Sequence, residues 1–156
     1  MTGRAKESLF SILGPDIGDA TVLDLYAGSG SLGLEALSRG AATATFVEVA
    51  KGAVRALRQN IAHVGLGGEV SVSTVTSFLR SASGTYDIVF VDPPYADSDD
   101  SVGAVVAALE PLVAPDGVVV VHRQARSTLT VPEFLRPRDE RRYGDAVVTM
   151  LERSDS

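Results

Sequence analysis

The sequence contains no cysteine and only two histidines among its 156 residues. Without cysteine the chain has no disulfide, no thiol nucleophile and no thiolate metal site. The two histidines, His63 and His122, are too few and too far apart in sequence to build a histidine metal site, so we expect no metal. Thiol chemistry is therefore excluded and metal chemistry is disfavoured.

Long apolar runs are also missing. No uninterrupted apolar stretch is long enough to span a bilayer, and no basic-then-apolar leader opens the chain. We therefore expect a cytoplasmic protein with no membrane partner. The hydrophobic fraction of 45% and the charged fraction of 22% are those of a globular chain. We expect residues 1–156 to form one domain and to act as a monomer.

Positive charge is scarce as well. The formal net charge of −6 disfavours broad non-specific binding to nucleic acid but leaves local recognition open. The basic residues are placed unevenly, with Arg4 and Lys6 near the start and a late group formed by Arg136, Arg138, Arg141 and Arg142. The late arginines either contact phosphate or border a solvated strand edge.

Short apolar runs alternate with segments of helical length, which is typical of a parallel α/β sheet. The pattern predicts helices over 6–13, 31–38, 50–64, 77–80 and 101–113, the first ended by Gly14-Pro15 so that 1–14 form a leading helical segment. It predicts strands over 21–25, 43–47, 70–73, 87–91 and 118–121, with further β character over 128–135 and 146–152. A turn is expected at 115–117 and a polar turn between the last two β segments. We predict a doubly wound mixed α/β sheet of about seven strands, mostly parallel, with an antiparallel C-terminal hairpin.

A glycine-rich turn follows the first predicted strand in the string DLYAGSGSLG over 24–33. Gly28 and Gly30 allow a tight backbone turn close to a ligand, and Gly33 lets the next helix lie against the sheet. The spacing is a literal GxGxxG, so a dinucleotide-dependent oxidoreductase is an alternative. Three residues separate Asp24 from Gly28, however, and an acid at that point suits a ligand with a positive amino group better than a pyrophosphate.

Glu48 ends the second predicted strand, 20 residues after Gly28. A carboxylate at this place accepts both ribose hydroxyls of an adenosine in nucleotide-binding α/β folds. A solvated acid at a strand end, or a cap for the helix at Ala50, is the alternative. The glycine turn one strand away favours the binding role.

Asp92-Pro93-Pro94-Tyr95 breaks a very apolar strand. Two prolines remove two backbone donors and fix φ, so the turn is stiff and presents carbonyls outward. The Asp92 carboxylate and the Pro93 carbonyl then suit a planar –NH2 group. Tyr95 offers a flat face for a base, worth roughly 1–3 kcal/mol. A proline turn with a tyrosine packed against it is the alternative reading.

The acid-plus-glycine turn and the DPPY motif together resemble the amino-methyltransferases of the class I S-adenosylmethionine fold, a Rossmann-like methyltransferase fold with the signature (D/N)PP(Y/F/W). The fuller strings resemble the RsmD-type methyltransferases, a family that modifies the 2-amino group of a guanine in small-subunit (16S) ribosomal RNA. The matching strings are RAKESLF over 4–10, VLDLYAGSGSLGLEALSRGAA over 22–42, FVE over 46–48, DIVFVDPPY over 87–95 and RYGD over 142–145.

The resemblance implies S-adenosylmethionine as cofactor and ribosomal RNA or the small ribosomal subunit as partner. The methionine part of the cofactor would be held by Asp24, Tyr26, Ala27, Gly28 and Gly30. Its ribose would lie at Glu48 and Val49, and its adenine at Thr74, where the family usually has Asp or Asn, and at Val75. The catalytic motif would be Asp92, Pro93, Pro94 and Tyr95, with Asp92 also beside the cofactor. Substrate would be bound by Pro93, Tyr95, Arg4 and Lys6.

Three departures from the family pattern stand out, one of which is the acidic net charge of −6. The family normally begins with a basic β-hairpin and an R-P-T segment that engage RNA, whereas this chain starts Met1-Thr2-Gly3-Arg4, so we expect the hairpin to be missing. The fifth strand of the family commonly ends in an acid where His122 stands.

The sequence thus predicts a methyltransferase acting on a guanine 2-amino group in ribosomal RNA. The same chemistry on adenine in DNA or on a protein glutamine is an alternative, since these amines share the DPPY pocket. A dinucleotide-binding oxidoreductase and a non-catalytic cofactor-binding module are further alternatives.

Overall fold

The computed structural model describes residues 1–155, and within them seven strands form one sheet. The strands are β1 (Thr21–Leu25), β2 (Thr43–Glu48), β3 (Glu69–Val72), β4 (Tyr86–Val91), β5 (Val113–Gln124), β6 (Leu135–Tyr143) and β7 (Ala146–Arg153). Their order is β3-β2-β1-β4-β5-β7-β6. The first five strands are parallel, and β7 runs antiparallel to both β5 and β6. The predicted mixed sheet with an antiparallel C-terminal hairpin is confirmed.

Helices cover both faces of this sheet. They are α1 (Gly3–Ile17), α2 (Ser31–Ser38), α3 (Lys51–Val64), α4 (Val75–Ser81) and α5 (Asp99–Ala107), followed by a 3-10 helix, Glu110–Leu112. Ile88 and Phe90 pack with α1, α2 and α3, whereas Val89 and Val91 pack with α4 and α5. Because central strands are buried on both faces, their sequences are continuous apolar runs. Among the helices formed by residues 1–155, none is long and apolar enough to cross a membrane.

The first helix is longer than the sequence predicts. It continues through Gly14 and Pro15 to Ile17. A proline inside a helix removes one backbone hydrogen bond and crowds the preceding turn, at a cost of about 3 kcal/mol. Leu13 and Ile17 lie one turn apart and are both buried in the core, so their burial holds the last turn in helical form. The predicted end of this helix at Gly14 was wrong.

The predicted helix over 101–113 was too long at its C-terminal end. The α5 helix ends at Ala107, and Val113 already begins β5. The turn expected at 115–117 instead lies inside β5, where the register against β4 shifts between Tyr86 and Ile88. A side chain on Gly117 would place a Cβ 2.8 Å from Val113 Cγ1, which shows how sharply this part of the strand bends.

The strand signal over 128–135 was also misplaced. The strand is β6, Leu135–Tyr143, which falls largely on the segment predicted as a polar turn. Because β6 is the edge of the sheet and mostly exposed, it carries charged residues and lacks an apolar alternation. Gly144 and Asp145 alone connect it to β7.

The chain reverses its direction of winding between β1 and β4. The β1 strand pairs in parallel with β2 on one side and β4 on the other, and Leu25 lies opposite Val91 at their carboxyl ends. In open α/β sheets such a switch point forms the ligand crevice. Tyr26 and Asp92, which directly follow these two strands, therefore stand at the mouth of that crevice.

Candidate active site

A cavity of about 600 Å³ opens at the carboxyl ends of β1, β2, β3 and β4. Predicted site residues on its wall are Tyr26, Glu48, Val49, Thr74, Val75, Asp92, Pro93 and Pro94. Residues that were not predicted as site residues complete the wall: Val47, Ala50, Ser73, Thr76, Asp97 and Ser101. Tyr26 from the glycine-rich break and Asp92 to Pro94 from the proline-rich break thus meet at one site, because both follow strand ends at the same edge of the sheet.

The glycine turn has a strained backbone at its first residue. Tyr26 has φ +59°, a left-handed conformation that is rare for an aromatic residue. Ala27 donates its N–H to Val47 O at 3.0 Å, which ties the turn to β2. Gly30 has φ +91°, and a Cβ there would lie 2.5 Å from Leu57 Cδ1 on α3. Ala27, Gly28 and Gly30 belong to this turn and are not among the residues that line the cavity.

The Glu48 carboxylate connects the glycine turn to the end of β2. Its Oε1 accepts from Gly28 N at 2.7 Å, and its Oε2 accepts from Val49 N and Ala50 N, both at 3.0 Å. An ionised carboxylate offers about four acceptor positions. Glu48 therefore keeps about one for a ligand hydroxyl, so acceptance from both hydroxyls of a ribose requires that a backbone bond be released.

Asp24 lies beneath the cavity and is not part of its wall. The residue is 1% exposed, and its Oδ2 accepts from Gly33 N at 3.0 Å. Burial raises the pKa of Asp24 to about 8, with smaller contributions in the same direction from the Asp92 and Glu48 charges and an opposing one from the Gly33 N–H. A Cβ on Gly33 would lie 2.4 Å from the Phe46 ring, so the predicted close approach of the following helix is confirmed.

Part of the cavity wall is apolar, and its hydroxyl groups are held in place. Val49 is 53% exposed, which is unusual for a valine and leaves an apolar surface at the cavity. The Thr74 hydroxyl caps α4, because its Oγ1 accepts from Ser77 N at 3.2 Å. The Tyr26 phenol keeps its proton at neutral pH, since burial and then the Asp97 charge raise its pKa above the ordinary value.

The DPPY motif separates two regions of the surface. Asp92 lines the cavity and is held from behind by His122, whose Nδ1 donates to Asp92 Oδ1 at 2.7 Å. Tyr95 does not line that cavity. It is 48% exposed and lies beside His122, with ring centroids 6.0 Å apart at an interplanar angle of 50°. A flat ligand on Tyr95 would therefore approach Asp92 from the side away from the cavity.

Arg123 holds the backbone that follows the motif, and the sequence reasoning missed it. Its guanidinium donates to Pro94 O at 3.4 Å and to Asp97 O at 2.9 Å, and it pairs with the Asp99 carboxylate at 3.2 Å. The residue is only 5% exposed. An available signal was the polar pair His122-Arg123 directly after four valines of a buried strand, since a buried charge such as that of arginine is rare unless it is paired.

The two basic residues predicted to bind substrate lie on the first turns of α1. Arg4 is exposed, whereas Lys6 donates to Ser31 Oγ at 3.1 Å and pairs with Glu35 at 3.5 Å. The same end of α1 borders a cavity of about 340 Å³ that is also lined by Tyr95 and His122. This end of the helix is thus close to the motif, although Lys6 itself is engaged with α2. In the part of the chain that the structure describes, no group of three His, Asp or Glu side chains is arranged to hold a metal ion.

Comparison with known proteins identifies relatives over nearly the whole chain. The model of a family described as "Conserved hypothetical protein 95" matches residues 1–152. Ribosomal RNA small subunit methyltransferase D of Escherichia coli is 47% identical over 95 residues, which are 60% of this chain and 48% of that protein. The chain therefore spans about half the length of the curated relatives that it matches first.

Solved structures extend the similarity. The Escherichia coli protein yhhF, a methyltransferase candidate, superposes with a TM-score of 0.90 at 35% identity. The superposition covers 97% of this chain and 86% of the yhhF chain. SMU.776, a methyltransferase candidate solved in complex with SAH, superposes with a TM-score of 0.80 at 16% identity over 96% of this chain and 48% of that one. At that identity the second match concerns the fold alone.

Proposed function

This chain belongs to the RsmD-type methyltransferase family described as conserved hypothetical protein 95, and from that premise we propose that it methylates the exocyclic 2-amino group of a guanine in small-subunit ribosomal RNA. One observation carries the proposal. Asp92 lines the cavity at the switch point, and Tyr95, three residues later, lies outside it beside a second and a third cavity. An acceptor for an amine therefore stands between a cofactor-sized cavity and an exposed aromatic ring.

The cavity at the switch point is suited to S-adenosylmethionine. Its volume of about 600 Å³ is within the usual range for cofactor sites. The apolar surface of Val49 and the buried Val75 suit the adenine, and Glu48 offers its remaining acceptor position to the ribose. Tyr26 and Asp92 follow the paired ends of β1 and β4, and the methionine end would be placed beside them. Asp24 does not line the cavity, so it would act without direct contact: a positively charged amino group above the wall would favour the ionised form of this buried carboxyl, whose pKa is raised to about 8 without it.

The bound cofactor supplies a methyl group that is already electrophilic, so the protein's task is mainly alignment and activation of the amine. The lone pair of a guanine 2-amino group is delocalised into the ring. Asp92 and the Pro93 carbonyl would accept hydrogen bonds from its two N–H groups and stabilise the positive charge that develops on nitrogen during transfer, and one N–H proton would then leave to Asp92 or to water. Because Pro93 and Pro94 fix the backbone, these acceptors keep their positions.

The target base must leave any helix to reach Asp92, and its stacking on Tyr95 would offset part of that cost. Tyr95 is exposed enough to accept a base, and its contact with His122 limits its movement. A looped or single-stranded segment of RNA provides such a base most easily.

We also propose that residues 1–156 act as one methyltransferase domain, as a monomer and in the cytoplasm. Light scattering at micromolar concentration tests the monomeric state, and a dimer at that concentration would contradict it.

The test of the function uses small-subunit ribosomal RNA that lacks base methylation, both naked and assembled into subunits, with labelled S-adenosylmethionine. We expect label on the 2-amino group of one guanine, located by mass spectrometry, and at least a 100-fold slower transfer by the variant Asp92→Ala. Calorimetry should show nearly unchanged binding of S-adenosylhomocysteine to that variant. Label on DNA adenine or on a protein glutamine, with none on RNA, would show that RNA is not the substrate and would identify DNA or protein in its place.

Two other results would change the class of the protein. Thermal stabilisation by NAD and none by S-adenosylhomocysteine would indicate an oxidoreductase. Binding of S-adenosylhomocysteine without transfer to RNA, DNA or protein would indicate a non-catalytic binding module.

A further inference from the structure

A cavity beside Tyr95 carries two arginines that no step above uses, and we propose that it binds an RNA backbone phosphate next to the target guanosine. The inference deepens the proposed function and rests on it. The two arginines are Arg126, just after β5, and Arg142, near the end of β6.

The cavity has a volume of about 510 Å³ and is lined by Tyr95, Gln124, Ala125, Arg126, Arg142 and Asp145. Its shape is fixed by the backbone. Ala125 donates its N–H to Asp145 O at 2.5 Å, which ties the end of β5 to the turn between β6 and β7. Arg142 Nε donates to Gly144 O at 3.2 Å, which orients the guanidinium within the same turn.

The charges of these two arginines are not neutralised by a partner. Other arginines of the C-terminal hairpin pair with carboxylates, namely Arg136 with Glu152, Arg138 with Asp16, Arg141 with Asp139 and Arg153 with Asp155. Within residues 1–155, Arg126 and Arg142 have no carboxylate at salt-bridge distance. Asp145 is the acidic side chain on the wall, so the wall carries a formal charge of +1 in a chain whose net charge is −6.

The position of the cavity indicates which anion it takes. A base on Tyr95 that presents its amino group to Asp92 has its ribose and phosphates on the outer side of the motif. The same cavity is lined by Tyr95 and by the two arginines, whose planar guanidinium groups match the oxygens of a phosphate. The cavity on the other side of Tyr95 is lined by Met1, Thr2, Ala5, His122, Tyr143 and Ala146, with no lysine or arginine side chain. The arginine-lined side therefore receives the phosphate.

The test compares Arg126→Gln, Arg142→Gln and the double variant with Arg136→Gln. Arg136 lies on the same strand as Arg142 but six residues away, about 20 Å along an extended chain. The substitution Arg136→Gln removes the same charge from an exposed position, where the ion pair with Glu152 contributes little to stability. Each variant is first checked for unchanged affinity for S-adenosylhomocysteine, which shows that the cofactor cavity is intact.

The probe is a short RNA that contains the guanine mapped in the methylation experiment, titrated in the presence of S-adenosylhomocysteine. We expect Arg126→Gln and Arg142→Gln each to weaken RNA binding about tenfold. The slope of log K against log salt should become shallower by about 0.7 for each lost phosphate contact. Arg136→Gln should change the affinity less than twofold.

A second set of RNAs replaces single phosphates beside the target guanosine with neutral methylphosphonates. At the phosphate held by the cavity, the replacement should weaken binding to the wild-type chain and add nothing to the effect of the double variant. Additive losses at every phosphate, or arginine variants that bind like Arg136→Gln while methylation proceeds, would overturn the proposal and leave the proposed function standing. A wild-type chain that binds S-adenosylhomocysteine and neither binds nor methylates RNA would overturn both.

Discussion

His122 Nδ1 lies 2.7 Å from Asp92 Oδ1, and this contact joins the end of β5 to the first residue of the DPPY motif. His122 is 5% exposed, so its ring is fixed by packing and cannot follow a moving carboxylate. The bond uses one oxygen of Asp92 and thereby orients the second. His122 is accordingly a positioning residue, which acts on the substrate amine through Asp92.

Replacement of His122 should slow methyl transfer without weakening cofactor binding. We expect His122→Ala to lower kcat about tenfold, because the Asp92 carboxylate loses its fixed direction. His122→Asn, whose amide N–H can donate from a similar place, should recover most of the rate. Steady-state kinetics with RNA, together with calorimetry for S-adenosylhomocysteine, measure the two effects separately. Equal losses in Ala and Asn variants, or a loss of cofactor affinity, would contradict the positioning role.

Arg123 should be needed for an ordered loop after the motif. Arg123→Gln removes a buried guanidinium that serves Pro94 O, Asp97 O and the Asp99 carboxylate, so we expect the free energy of unfolding to fall by roughly 2–4 kcal/mol. Urea unfolding measures this change. Hydrogen exchange should show faster opening of residues 95–101, while exchange in β1 and β2 changes little. Uniform acceleration along the chain would indicate a general loss of stability instead.

Gly30 should tolerate a methyl group far less well than another glycine of similar backbone conformation. In Gly30→Ala the new Cβ would lie 2.5 Å from Leu57 Cδ1, in addition to the cost of φ +91°. Gly84 has φ +81° but open space around its Cβ, so Gly84→Ala measures the conformational cost alone, about 1–2 kcal/mol. We expect Gly30→Ala to lose roughly 1–3 kcal/mol more than Gly84→Ala in urea unfolding. Equal losses would show that the turn can move away from α3.

Asp24 should make the free energy of unfolding depend on pH between about 4 and 8. Its pKa is raised from 3.8 to about 8 on folding, so the folded chain binds this proton more tightly than the unfolded chain. Its contribution to stability is therefore complete below pH 4 and is lost as the pH rises toward 8. At 1.36 kcal/mol per pKa unit, the loss is roughly 6 kcal/mol at most.

Asp24→Asn removes this titration while keeping an oxygen that can accept from Gly33 N. The difference in unfolding free energy between wild type and variant, measured in urea at several pH values, isolates Asp24 from the other groups. We expect the wild type to lose unfolding free energy relative to Asp24→Asn as the pH is raised from about 4 to about 8. Parallel pH curves for the two proteins would show that Asp24 is ionised in the fold.

The fold class could be predicted from the sequence because its evidence is local. Buried parallel strands such as 87–91 need continuous apolar residues, and each strand end that approaches a ligand needs glycine, proline or an acid. The errors fall where local preference loses to packing. Pro15 remains helical because Leu13 and Ile17 are buried around it, and β6 carries charges because it lies at the edge of the sheet.

The candidate site was found in part for the same reason. Glu48, Asp92 and Tyr95 stand at strand ends that a sequence pattern can identify, and the structure brings the first two to one cavity while placing the third outside it. The residues that hold these side chains and the motif in place could not be predicted from the sequence. Arg123 is 29 residues from Pro94 in the chain, and His122 is 30 residues from Asp92.

The sequence by itself determined the kind of chain this is: an α/β sheet with a ligand turn after its first strand and a stiff acceptor turn after its fourth. Those features depend on residue types within a few positions of one another, so the order of residues suffices to express them. The tertiary structure alone decided that Asp24 is buried under the cavity, that His122 and Arg123 hold the DPPY segment, and that Arg126 and Arg142 border Tyr95. These contacts join residues that are distant in the chain, and only the packing of strands and helices brings them together.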